Sequence, residues 1–458
     1  MQDFAKALAL CAAAAMLGGC AGAGAVSHPG IGAAGGLSAH KAQPAVTLPQ
    51  HVIVIVQENR SFDNLFQGFP GADTQSFGYN TLGDQVPLTE LPLGTQYDPN
   101  HSHGSFVTEF RAGGMNGFNH EQCTGCPPDT AYTYVDPSDI VPYTQLATQY
   151  AIADHVLQPN EGPSFPAHIY LIAGQSGSPS SHWYVSENTL PSHKPPSNCL
   201  APSNHTVEQI DMTTAYPGVE GNAIFPCIDP PTILDELDHA GIGWRYYTSS
   251  KGSIWTSPFA VSHLYNSPSD RARVVSPETT ILSDIQAGTL QPVSYVIPRV
   301  QNSDHAGPTK PTGGPTWVAS IVNAVGASPY WQNTAIIVTW DDWGGWYDHV
   351  TPTHPTNPFG GNPDPYEYGF RVPLLAVGSM AKAGYVDHTQ RSAAAILHFI
   401  EDVFGLPSLG ELDAQTDDLF PMFAFGQKPR AFKPIATGKV TIESLKRLPP
   451  DQTPIDDD

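Results

Sequence analysis

Apolar positions along the chain fall into short continuous runs separated by long polar stretches. His51 to Val56 reads His-Val-Ile-Val-Ile-Val, a β-branched run of the kind that forms a strand buried on both faces of a parallel sheet. Ala335 to Trp340 is a second such run, and Ile242 to Tyr247, Val293 to Ile297 and Arg371 to Val377 are shorter strand candidates. Apolar residues at helical spacing predict helices from Thr232 to His239 (stopped by Gly241), from Trp317 to Val325 and from Ser392 to Phe404. Alternating strands and helices predict an α/β sandwich with a mostly parallel central sheet. Stretches rich in Pro, Gly and Ser, roughly 68–145, 174–230 and 250–290, read as long loops over the sheet's C-terminal edge.

Ligands of such sheets sit at the carboxyl ends of the strands. Two strands end in dense polar clusters. Gln57-Glu58-Asn59-Arg60-Ser61-Phe62-Asp63 follows Val56, and Asp341-Asp342-Trp343-Gly344-Gly345-Trp346-Tyr347-Asp348-His349 follows Trp340. Carboxylates and an amide oxygen from two neighbouring strand ends make an oxygen-rich cage for a divalent cation. The glycines permit a sharp turn and close backbone approach. Acids that merely cap turns are the plain alternative, and it explains one cluster better than two.

Charge sharpens this picture. With 20 Lys+Arg against 43 Asp+Glu the net charge is −23, which argues against nucleic acid as a partner. An anionic substrate must then be held by a local feature, such as a metal ion. The chain also carries 18 His, a supply of imidazolium donors nearly as large as its Lys and Arg together.

The first twenty residues carry Lys6 and an apolar run from Ala7 to Leu17, too short to span a bilayer and of the length expected for an export leader. Leu17-Gly18-Gly19-Cys20 resembles a bacterial lipobox, which would attach an acylated Cys20 to a membrane; an ordinary cleaved signal is the other reading. The domain plan is therefore a signal peptide at 1–20 (lipoprotein type), a flexible tether at 21–50, a catalytic domain at 51–430 and an exposed tail at 431–458. Export predicts a periplasmic, cell-surface or secreted protein. Outside the leader there are four cysteines, which allow three pairings; Cys123–Cys126 with Cys199–Cys227 is the favoured one.

Glu58-Asn-Arg-Ser-Phe-Asp63 and the Asp-Asp-x-Gly-Gly-x-x-Asp-His run at 341–349 resemble the signatures of the bacterial phosphoesterase family, which contains secreted phospholipases C and acid phosphatases. The resemblance extends to Asp98-Pro-Asn-His101-Ser102, Met115-Asn-Gly-Phe118, Gly162-Pro163-Ser164 with His168 to Leu171, Asp304-His305 and Ser328-Pro-Tyr-Trp331. It implies an alkaline-phosphatase-like three-layer fold and one divalent metal ion held by Glu58, Asn59, Asp341 and Asp342. It places a serine nucleophile at Ser164, and catalytic or phosphoryl-binding histidines at His101 and His305. Asp304 and His349 are expected nearby, on the substrate side. His103 is a rival to His101, and Trp343 and Trp346 could line a pocket for an apolar or choline-like headgroup.

The implied activity is hydrolysis of phosphoric esters through a phosphoserine, phospholipase C-like. The alternatives are an acid phosphatase, a phosphotransferase, or a non-catalytic binding protein on the same scaffold. The Asp-Asp pair, where many phospholipases have Asp-Glu and acid phosphatase relatives can have Asp-Asp, points to a compact phosphomonoesterase or a minimal phospholipase.

Overall fold

A computed structural model describes residues 47–178, 180–191, 194–307, 313–360, 364–438, 441 and 443–444. The expected export leader, Cys20 and most of the expected tether lie outside the described residues.

Eight strands form the main sheet: β1 (His51–Gln57), β2 (Ala151–Ala153), β3 (Trp244–Tyr247), β4 (Val274–Val275), β5 (Val293–Val296), β6 (Thr334–Trp340), β7 (Leu374–Gly378) and β8 (Tyr385–Asp387). Their order is β4-β3-β5-β1-β6-β7-β2-β8. Every pairing is parallel except those of β7, which runs against β6 and β2. The two β-branched runs, β1 and β6, are adjacent at the centre, where burial of each Val or Ile stabilises the fold by roughly 1.5–3 kcal/mol.

The helices among the described residues are α1 (Phe62–Phe66), α2 (His103–Phe110), α3 (Val141–Gln149), α4 (Ser164–Ala173), α5 (Ile233–His239), α6 (Ser262–Asn266), α7 (Pro268–Arg273), α8 (Thr280–Ala287), α9 (Gly314–Gly326) and α10 (Ala395–Phe404). Register shows that they cover both faces of the sheet. Val54 pairs with Tyr295 on one side and Ile337 on the other, so these residues and Thr339 share a face. There the Tyr295 hydroxyl donates to the Leu171 carbonyl of α4 at 3.1 Å. Trp340 projects to the opposite face and meets Tyr143 of α3 edge-on at 5.1 Å. α4 packs with α5 and α10, and α9 packs with α3 and α8, giving three layers.

The stretches read as loops hold more structure than their composition suggests. The 250–290 stretch contains α6, α7, β4 and α8, and α2 lies inside 68–145. Both expected disulfides are present, Cys123–Cys126 and Cys199–Cys227. The segment read as an exposed tail begins packed: Phe432 meets Trp331 at 4.9 Å, and buried Ile435 donates its N–H to Asn323 Oδ1 at 2.9 Å.

Candidate active site

β1 and β6 end at the same level, because Gln57 is in register with Trp340. The Asp341 N–H donates to the Gln57 carbonyl at 3.0 Å, carrying the ladder one residue past the strands. Counting alternate residues from Val54 and Ile337 brings Glu58 and Asp341 to the face covered by α4. Asn59 then turns with φ 58°, a left-handed conformation that Asn tolerates better than most residues, and its N–H donates to Asp341 Oδ1 at 3.1 Å. Gly344 has φ 64°, and a Cβ there would lie 2.4 Å from the Asn59 carbonyl oxygen. Only glycine lets the second loop cross the first so closely.

On the α4 side, His168 meets both carboxylates. Its Nε2 lies 3.0 Å from Glu58 Oε1 and 3.6 Å from Asp341 Oδ2, with all three side chains buried. Ser164, one turn earlier on α4, donates its hydroxyl to Asp342 Oδ2 at 3.1 Å. The next N–H of the helix, that of Phe165, is satisfied by Asn188 Oδ1 at 2.9 Å. α4 is buried along its whole length, which holds Ser164 and His168 on one rigid element.

His101 and His305 complete the cluster. His101 Nδ1 faces the Pro99 carbonyl at 2.8 Å, so that nitrogen carries the proton, and Nε2 accepts from Asn59 Nδ2 at 2.7 Å. This fixes the Asn59 amide, whose buried Oδ1 accepts no hydrogen bond from the described residues. His305 Nδ1 faces the Ala306 carbonyl at 2.6 Å and lies 3.7 Å from Asp98 Oδ2. Trp255 packs against His168 at 6.2 Å and His305 at 5.8 Å, and His305 meets His101 at 6.1 Å. Buried Arg60 donates to the Asp304 carbonyl through Nε and Nη2 at 3.0 and 2.9 Å, anchoring the turn that carries His305.

A family model described as the Phosphoesterase family matches residues 49–407. The chain belongs to the phosphoesterase family. Among curated relatives, the non-hemolytic phospholipase C of Pseudomonas aeruginosa is 23% identical over 428 residues, covering 82% of this chain and 57% of that protein. Phospholipase C A of Mycobacterium tuberculosis is 24% identical over 463 residues, covering 87% and 82%. The chain thus spans little more than half the length of the Pseudomonas relative. A solved Vibrio parahaemolyticus protein of the alkaline phosphatase superfamily is 12% identical, with coverage of 81% and 71% and a TM-score of 0.37.

The donor set of this phosphoesterase-family chain fits a divalent cation. Three carboxylates, Glu58, Asp341 and Asp342, are buried together, and Asp341 Oδ2 and Asn59 Oδ1 are oriented without a hydrogen-bond donor. Burying that much negative charge is costly unless a cation or protons compensate it. Glu58, His168 and Asp341 form one of two groups among the described residues whose ligand atoms lie close enough for one ion.

The other group is Asp63, Asp348 and His349, and the Arg371 guanidinium already neutralises it. Arg371 donates through Nε and Nη2 to the two oxygens of Asp348 at 2.8 and 3.1 Å and lies 3.4 Å from Asp63. His349 therefore joins this separate network, its Nδ1 at 2.5 Å from Asp63 Oδ2 and its Nε2 at 3.2 Å from Asp73. Burial alone would lower the His349 pKa, but the hydrogen bond and charge of Asp63 win and raise it. The Asp304 side chain is not brought to the cluster either. Its carboxylate accepts from Tyr143 at 2.6 Å and Trp340 at 3.3 Å, on the α3 face. Each signature thus divides its work: the leading residues reach the cluster, and the trailing Asp63, Asp348 and His349 brace the loops.

Two other expectations change. Trp343 and Trp346 are fully buried; Trp343 donates to Glu109 at 2.8 Å and Trp346 stacks with Arg60, so neither lines an open pocket. His103 is held between the carbonyls of Glu161 and Pro217, whereas His101 meets Asn59 beside the cluster. His168 is the member that reading by motif passed over. Its signal was the spacing from Ser164, because residues four apart share a helix face.

Proposed function

We propose that this chain is an exported, metal-dependent phosphoesterase that hydrolyses phosphoric esters through a phosphoserine on Ser164, phospholipase C-like in its substrates. The observation that carries the reading is the Ser164 hydroxyl donating to Asp342 Oδ2 at 3.1 Å beside the buried Glu58–His168–Asp341 cluster. Family membership gives the reaction class its support, and the leader motif supports export.

A divalent ion held by Glu58, Asn59, Asp341 and Asp342 would supply positive charge for the phosphoryl oxygens. Asp342 orients the Ser164 hydroxyl and takes its proton as Oγ bonds to phosphorus and the bond to the leaving alcohol breaks. The N-terminal end of α4, which begins at Ser164, adds a favourable dipole for a phosphoryl group. His305 gives the leaving alkoxide its proton from Nε2, while the Ala306 carbonyl and Asp98 hold Nδ1 on the far side of the ring. Nε2 then takes a proton from the water that splits the phosphoserine. His101 holds the Asn59 amide. Every one of these side chains is at most 1% exposed except Asp98, so bulk water is kept from the reacting groups.

The test is a parallel assay of the purified protein on a soluble phosphomonoester and on phosphatidylcholine, with and without chelator. Turnover of phosphatidylcholine that chelator abolishes supports this reading. Turnover of the monoester alone moves the assignment to the acid phosphatase branch, and chelator-resistant turnover overturns the metal-dependent mechanism.

A further inference from the structure

We propose that His168 is itself a ligand of the ion, so that the coordination shell mixes nitrogen with oxygen and selects a first-row transition metal over magnesium or calcium. The inference rests on the metal-dependent reading above and deepens it. The ligand set implied by family resemblance is all oxygen: Glu58, Asn59, Asp341 and Asp342. Such a set suits magnesium or calcium well. An imidazole does not, and it moves the preference toward Zn²⁺, Co²⁺ or Fe²⁺.

The geometry around His168 is that of a ligand. Its Nε2 stands 3.0 Å from Glu58 Oε1 and 3.6 Å from Asp341 Oδ2. Two donors bonded at about 2.1 Å to one ion lie about 3.0 Å apart at a right angle and about 3.4 Å apart in a tetrahedron. The observed separations fall around that range. The ring is also fixed in place. It projects from a wholly buried helix and is stacked on Trp255 at an interplanar angle of 27°. Sharing a helix face with Ser164 ties the position of the ion to that of the hydroxyl. An imidazolium that merely pairs with the two carboxylates would show similar distances, so the decisive property is metal selectivity.

The experiment uses the full chain stripped of metal and titrated calorimetrically with Zn²⁺, Co²⁺, Mg²⁺ and Ca²⁺, alongside His168→Gln and His168→Asn. In both variants Zn²⁺ and Co²⁺ affinity should fall at least about tenfold while Mg²⁺ and Ca²⁺ affinity changes less than about threefold. A Zn²⁺-to-Mg²⁺ affinity ratio within threefold of wild type in either folded variant overturns the proposal. A second measurement needs no variant. Wild-type protein loaded with Co²⁺ should show a paramagnetically shifted, exchangeable imidazole N–H resonance by NMR, and its absence overturns the proposal as well. If wild type binds none of the four ions, the metal-dependent reading itself fails, and this inference with it.

Discussion

Ser164 and His168 stand one turn apart on α4 and reach the two neighbouring acids of the second strand end, Ser164 Oγ at 3.1 Å from Asp342 and His168 Nε2 at 3.6 Å from Asp341. A single rigid helix therefore sets the spacing between a hydroxyl and a cluster of carboxylates. That arrangement makes the metal cage and the nucleophile separable by mutation.

The cage comes first. Asp341→Asn and Glu58→Gln each remove a negative ligand while preserving shape. Metal affinity and kcat/KM should fall together, by at least about tenfold each. Metal analysis and steady-state kinetics on the same preparations check this, and unaltered metal content with unaltered turnover would contradict the ligand assignment.

The crossing of the two loops gives a second test. Gly344→Ala places a Cβ 2.4 Å from the Asn59 carbonyl in a left-handed conformation that costs an L-residue roughly 1–2 kcal/mol before the clash is counted. Thermal unfolding should show a lowered Tm, and calorimetry a weakened metal site, because Asn59 must move. An Ala variant with native Tm and metal affinity would refute the close crossing.

A third test uses pH. Burial pushes the Asp304 carboxyl up to about 6, against the hydrogen bond from Tyr143, the charge of Arg60 and the hydrogen bond from Trp340. The folded chain then binds this proton more tightly than the unfolded chain, whose carboxyl titrates near 3.9. Its contribution to stability is fully present below about pH 4 and is lost as pH rises through about 6. Asp304→Asn removes the titration. Its stability relative to wild type should rise between pH 4 and 8 by up to about 3 kcal/mol, measured by denaturant unfolding. A difference independent of pH would contradict the shift.

The Cys199–Cys227 disulfide closes a separation of 28 residues, and it lies beside Asn198, whose amide holds the Lys251 and Ser253 carbonyls at 2.9 and 3.0 Å near Trp255. Replacing both cysteines by serine should destabilise the fold by about 3–4 kcal/mol on chain-entropy grounds. Denaturant unfolding of the double variant measures this directly, and a loss under about 1 kcal/mol would show that packing alone holds the segment.

Much of this was legible in the sequence because burial on both faces leaves a plain mark. β1 and β6 announce themselves as unbroken β-branched runs, and the acids at their ends follow from where such sheets bind ligands. Arg371 to Val377 also read as a strand, yet the strand begins at Leu374 and runs antiparallel. Arg371 is spent on Asp348, and strand direction leaves no trace in a run of apolar residues. Helices α6 and α7 are short and polar, so their composition resembles loop, and α8 carries Ile281 and Ile285 at helical spacing inside that same Pro- and Ser-punctuated stretch. His168 was hidden for the opposite reason: α4 is buried on every side, which erases the amphipathic stripe that would have marked its inward face. The roles of Asp304 and His349 depend on Tyr143 and Arg371, partners about 161 and 22 residues away that no local motif contains.

The covalent step at Ser164 is the centre of the account, and rapid acid quench during turnover of a phosphorus-labelled ester examines it most directly. Wild type should retain acid-stable label that peptide mapping places on Ser164. Ser164→Ala should bind metal normally, carry no label and lose turnover in kcat far more than in KM, while Ser164→Thr keeps part of both. Normal turnover by the Ala variant, or label on any other residue, would contradict the phosphoserine mechanism.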